Sequence, residues 1–126
     1  MKRLLLSILI ASMLWCNISF AKWVFIAVTS EDYYYYEDTT IKKDKDYSYV
    51  WILDDMIVSE SPHVKSMKMY LKINCSLIQY DFMQIISYRF KLGTGASNLR
   101  EYPKVQWSSA PPKTPFHEIM SVVCSK

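Results

Sequence analysis

The chain has 126 residues, of which 15% are aromatic, and its 15 Lys and Arg against 12 Asp and Glu give a formal charge of +3. That length admits one small domain with a modest core. The near balance of charge excludes a general nucleic-acid binder, which needs a basic face.

The opening MKRLLLSILIASMLWCNISFAKW places Lys2 and Arg3 before an apolar stretch from Leu4 to Trp15. Ser19 and Ala21 then stand as the two small residues of a cleavage site. This predicts a secretory signal peptide over residues 1–21 and a mature domain over 22–126. The apolar run is short for a membrane span of about 20 residues. Trp15 before Cys16 also lacks the small residue that a lipoprotein cysteine requires. Cleavage removes Cys16 and leaves Cys75 and Cys124, an even pair in an oxidising compartment. A Cys75–Cys124 disulfide is predicted, with free thiols or an intermolecular bond as the alternatives. Loss of Lys2 and Arg3 brings the formal charge to about +1.

KWVFIAVTS (22–30) is apolar and β-branched, a central-strand pattern. In YYYYEDTTIKK (33–43) strand alternation puts Tyr33 and Tyr35 on one face and Tyr34 and Tyr36 on the other. KKDKDYS (42–48) reads as charged turn, YSYVWILDDMIV (47–58) as a strand apolar on both faces, and ESPHV (60–64) as a loop. KSMKMYLKINC (65–75) alternates most clearly, with Met67, Met69, Leu71, Ile73 and Cys75 inward. SLIQYDFMQIISYRF (76–90) aligns Ile78, Tyr80, Phe82, Ile86, Tyr88 and Phe90, with Gln84 breaking the row. KLGTGASN is a turn and KVQWSSA (104–110) a short last strand. In TPFHEIMSVVC, Thr114 is an N-cap, Pro115 opens the helix, and Phe116, Ile119, Met120 and Val123 form one stripe. The predicted class is α+β: an antiparallel sheet of about five to six strands with a C-terminal helix packed on one face.

Read in order, these pieces resemble the surface-adhesin E family of small exported bacterial proteins. Trp23 opens the first strand, and YYEDTTI (35–41) supplies Tyr35, Tyr36 and Asp38. Trp51 follows, then INC (73–75), YRFKLGTG with Gly93 and Gly95, Trp107, and a helix ending at Cys124. Asn74 stands where the family has aspartate, and His117 where a capping-box glutamate is expected. The resemblance implies a sheet-plus-helix fold, leaves a homodimer open, and implies attachment to host matrix glycoproteins, as in relatives that bind laminin, vitronectin or plasminogen. Trp23, Tyr35, Tyr36, Asp38, Trp51, Gly93, Gly95 and Trp107 are thereby assigned structural roles.

No catalytic or cofactor constellation emerges. His63 lies in a loop and His117 in the first helical turn, and both read as solvated surface. HEIMS lacks the second histidine of a zinc-protease helix. Asp54 and Asp55 alternate to opposite faces and make no carboxylate pair. Asp38, Asp44 and Asp46 lack the spacing and glycine of an EF-hand. GTG fits a tight turn better than a phosphate cradle. What remains is an excess of aromatic rings among lysines. Tyr33, Tyr34, Tyr47, Tyr49, Lys68, Tyr70 and Lys72 form the candidate binding surface, with a protein or glycan macromolecule as partner. The competing bland reading is that the rings merely cover a twisted sheet. Two functions fit: an exported adhesin-like module, surface-bound or secreted, or a periplasmic accessory protein with an envelope partner.

Overall fold

The computed structural model describes residues 22–126. The predicted signal peptide, with Cys16, lies outside the described residues. Strands β1 (Trp23–Val28), β2 (Asp32–Glu37), β3 (Lys42–Asp44), β4 (Tyr47–Met56), β5 (Ser66–Asn74), β6 (Gln79–Tyr88), β7 (Ser97–Glu101) and β8 (Ser108–Ser109) are followed by helix α1 (Pro115–Cys124). The sheet runs β1-β2-β4-β5-β6-β7, with β3 also paired to β4 and β8 to β6. All pairings are antiparallel.

Eight strands replace the expected five to six. The charged KKDKDYS segment is a hairpin, because Lys45 takes a left-handed conformation (φ 47°) that lets Asp44 pair directly with Tyr47. β7 is exposed along its whole length, so no inward-outward alternation marks it as a strand. The strand expected over 104–110 contracts to Ser108–Ser109.

Two bulges set the faces. In β1, alternation already sends Val24 and Ile26 to the core, and a register slip between Phe25 and Ala27 then sets Ala27 opposite Tyr34 rather than Tyr33. In β6 it slips at Met83, which lies between Phe82 paired with Leu71 and Gln84 paired with Tyr70. An extra residue reverses the side-chain alternation of everything beyond it. Tyr80, Phe82 and Ile85 therefore face the core, while Gln84, Ile86 and Tyr88 turn the other way. The expected single row from Ile78 to Phe90 is corrected accordingly, and Gln84 breaks it because of the bulge.

On one face Tyr36, Val50, Ile52, Met69, Leu71 and Ile73 meet Ile119, Met120 and Val123 of α1. Complete burial of an aliphatic side chain contributes roughly 1.5–3 kcal/mol, so this three-residue stripe holds the helix down. Thr114 caps it by accepting the His117 N–H at 3.4 Å. The Cys75–Cys124 disulfide closes the far end, with Cα atoms 5.7 Å apart across a sequence separation of 49. No helix among the described residues is long and apolar enough to cross a membrane.

Candidate functional site: the helix-free face of the sheet

The alternation that buries Tyr36, Val50, Ile52 and Leu71 sends their neighbours to the opposite face. Strand pairing then brings aromatic residues from distant parts of the chain side by side. Phe25 is opposite Tyr35, Trp51 opposite Tyr70, and Tyr49 opposite Lys72. Trp51 stacks on Tyr70 with ring centres 4.8 Å apart, and Tyr49 stacks on the same ring at 6.0 Å. Tyr47 stacks on Trp107 at 5.7 Å, and Phe25 meets the edges of Tyr33 and Tyr35.

Two lysines of this face, Lys68 and Lys72, each sit between two rings. The Lys68 ammonium lies 5.1 Å from Tyr88 and 5.6 Å from Trp23. That of Lys72 lies 4.2 Å from Tyr47 and 5.8 Å from Trp107. Such contacts contribute about 0.5–1 kcal/mol at exposed sites and hold each cation at the surface. Burial, and then the charge of Tyr49, raises the Tyr70 hydroxyl above the ordinary tyrosine range. The Tyr70 phenol therefore carries no charge around neutral pH.

Two irregular segments complete it. Buried Asp81 accepts the Gln106 N–H at 3.1 Å, which anchors the loop that delivers Trp107. At the other end Asp55 accepts the Leu92 N–H at 2.8 Å, and Ser66 accepts the Gly93 N–H at 2.9 Å. The GTG turn thereby folds over Leu53, as its left-handed Gly93 (φ +67°) and Gly95 (φ +86°) permit. Two shallow grooves flank the Trp51–Tyr70 stack. One, of about 220 Å³, is lined by Trp23, Glu37, Trp51, Lys68, Ile86 and Tyr88. The other, of about 390 Å³, is lined by Lys42, Lys43, Asp44, Tyr49, Tyr70 and Met83.

Six of the seven residues expected to form the surface share this face: Tyr33, Tyr47, Tyr49, Lys68, Tyr70 and Lys72. Tyr34 does not. It alternates to the helix side, where its ring meets the edge of Phe116 at 6.0 Å and its hydroxyl donates to Asp32 at 3.4 Å. Of the residues assigned structural roles, Tyr36 is core and Asp38 pairs with Lys126 near the C-terminus. Trp23, Tyr35, Trp51 and Trp107 belong to the aromatic face itself. Phe25 and Tyr88 join it without having been expected there. Phe25 was legible as the alternate neighbour of Trp23, and Tyr88 was hidden by the bulge. His63 is exposed, and His117 is engaged only in the cap. No group of three or more metal-ligating side chains occurs among the described residues.

A single antiparallel sheet, stapled to a helix on one face and bearing exposed rings and lysines on the other, defines a small sheet-and-helix module with one uncovered face. The chain belongs to the family described as Surface-adhesin protein E, whose pattern matches residues 23–125. Solved structures of protein E from Haemophilus influenzae share the fold. One aligns with a TM-score of 0.61 at 16% identity, covering 85% of this chain and 86% of that one. A second crystal form gives 0.58 at 16% identity, covering 85% and 97%. Protein E from a non-typeable strain gives 0.57 at 15% identity, covering 87% and 79%. No curated protein matches the chain.

Proposed function

We propose that this is a non-catalytic, exported, adhesin-like binding module that engages a protein or glycan macromolecule, such as a host matrix glycoprotein, through the helix-free face. The observation that carries the reading is the uncovered aromatic–lysine surface centred on Trp51 and Tyr70. Half-exposed rings offer flat apolar contact at little entropic cost, and interleaved ammonium groups add charged donors. Family membership supports the adhesin-like class, and the basic-apolar leader of the sequence supports export.

The test is location. Intact cells are treated with a non-permeating protease, and the mature protein is followed by immunoblot in cells and medium. Digestion on intact cells, or release into the medium, is the expected result. Protection until the outer membrane is permeabilised would replace this reading with that of a periplasmic accessory protein that uses the same face for an envelope partner.

A further inference from the structure

A second feature lies on the opposite side of the sheet, apart from the aromatic face. Where β2 begins and β4 ends, a cleft of about 330 Å³ opens between the sheet and the loop after β4. Its polar lining includes Glu31, Asp32, Asp54 and Glu60, and its apolar walls are Met56, Val58, Val64 and Met67. Asp54 reaches it from the core side of β4 and is only 6% exposed. One of its oxygens, Oδ1, has no hydrogen-bond partner. An unmatched buried acceptor costs free energy comparable to a lost hydrogen bond, so this oxygen suits a donor brought from outside the chain.

The lining fixes the kind of donor. Neither lysine nor arginine lines the cleft, so its acidic groups attract a cation without competition. The carboxylates do not converge on a point as a metal requires, since no group of three or more His, Cys, Asp or Glu side chains placed to hold an ion occurs among the described residues, and the thioether and valine walls offer nothing to a hard divalent ion. A primary ammonium on an alkyl stem fits both halves: three donors for the carboxylates, and methylenes against Met56, Val58, Val64 and Met67. We infer that the cleft is a site for an alkylammonium group, the chemistry shared by a partner's lysine side chain and a free aliphatic diamine.

The groups facing Asp54 give the site a pH dependence. Asp32 and Tyr34 adjoin it from β2, Asp55 is its neighbour on β4, and Glu31 and Glu60 stand at the cleft. All are acidic. Burial first, then the hydrogen bond and charge of Asp32, then the charge of Asp55, push the Asp54 carboxyl up to about 8. An arriving ammonium must displace that proton, so below that value binding tightens about tenfold for each unit by which the pH rises.

The experiment is a titration of the folded protein, followed by methyl NMR of Val58, Val64, Met56 and Met67. The probes are 1,5-diaminopentane, Nα-acetyl-lysine methylamide, and 1-pentanol as the neutral control. Expected are shifts at these methyls with either amine, roughly tenfold tighter at pH 7 than at pH 6, absent with pentanol and lost in Asp54→Asn. Tighter binding of the lysine derivative assigns a protein lysine as the natural occupant, and tighter binding of the diamine assigns a free amine. Absence of shifts with both amines, or equal shifts with pentanol, overturns the inference. Should Asp54→Asn not fold, the pentanol control and the wild-type pH profile decide alone.

Discussion

Asp54 and Gly93 show how single residues carry the constraints of this fold. An unfolded aspartate titrates near 3.9, whereas native Asp54 holds its proton up to about 8. Between those values the native chain binds a proton that the unfolded chain has lost. The stability attributable to Asp54 therefore falls as pH rises from about 4 to about 8 and levels off above. Asp54→Asn, which keeps the shape and loses the charge, should flatten this slope. At pH 8 the variant should be more stable than wild type by roughly 1–3 kcal/mol, the scale of an unmet buried polar group, with little difference at pH 4. Urea unfolding at the two pH values measures it. Gly93 is constrained differently. Its φ of +67° disfavours any side chain, and an added Cβ would stand 2.7 Å from Lys68 Cε. Gly93→Ala should cost about 1 kcal/mol and displace the Lys68 ammonium, visible as a changed chemical shift at Tyr88. Neither constraint is legible in the sequence alone. Asp54 and Asp55 were readable as facing opposite ways, but not that Asp32 would be set beside the first and the GTG turn over the second.

At the scale of elements, the helix and its staple were readable because their signals are local. Thr114, Pro115 and the Phe116–Ile119–Met120–Val123 stripe fall within one short segment, and the structure confirms cap and stripe. β5 was readable for the same reason, with Met69, Leu71 and Ile73 buried as its alternation requires. β6 was only half readable. Gln84 betrayed an irregularity, but its cause, the extra residue Met83, is fixed by pairing to β5. β7 gave no signal, since an edge strand exposed throughout has no buried face to pattern. The disulfide joins the two most legible elements, the end of β5 and the end of α1. Cys75→Ser should destabilise the domain by roughly 2–5 kcal/mol, read from the midpoint of chemical unfolding. Non-reduced peptide mapping should recover Cys75 and Cys124 in one fragment, and two thiols open to alkylation without reductant would contradict it.

At the scale of the whole molecule, the fold divides labour between two faces. The helix face is consumed by the core, and its cysteine staple lets a small sheet stay folded with one side uncovered. The other face gathers Trp23 and Phe25 from β1, Tyr47, Tyr49 and Trp51 from β4, Lys68, Tyr70 and Lys72 from β5, and Trp107 from beyond β7. The sequence displayed this excess of rings and lysines but not its grouping, which depends on register and on two bulges. Hence Tyr34 was assigned to the surface and sits with Phe116 instead, while Trp51 and Trp107 were assigned to the framework and stand on the surface. The central claim is that this face binds a macromolecule. Its most direct test compares wild type with Trp51→Ala/Tyr70→Ala for binding to a decellularised extracellular matrix, after near-identical circular dichroism has established that both are folded. Trp51 borders one groove and Tyr70 the other, so their joint removal should weaken binding at least about tenfold, the loss of one or two interface anchors. Equal binding by the folded double variant would contradict the account and move the contact surface elsewhere on the molecule.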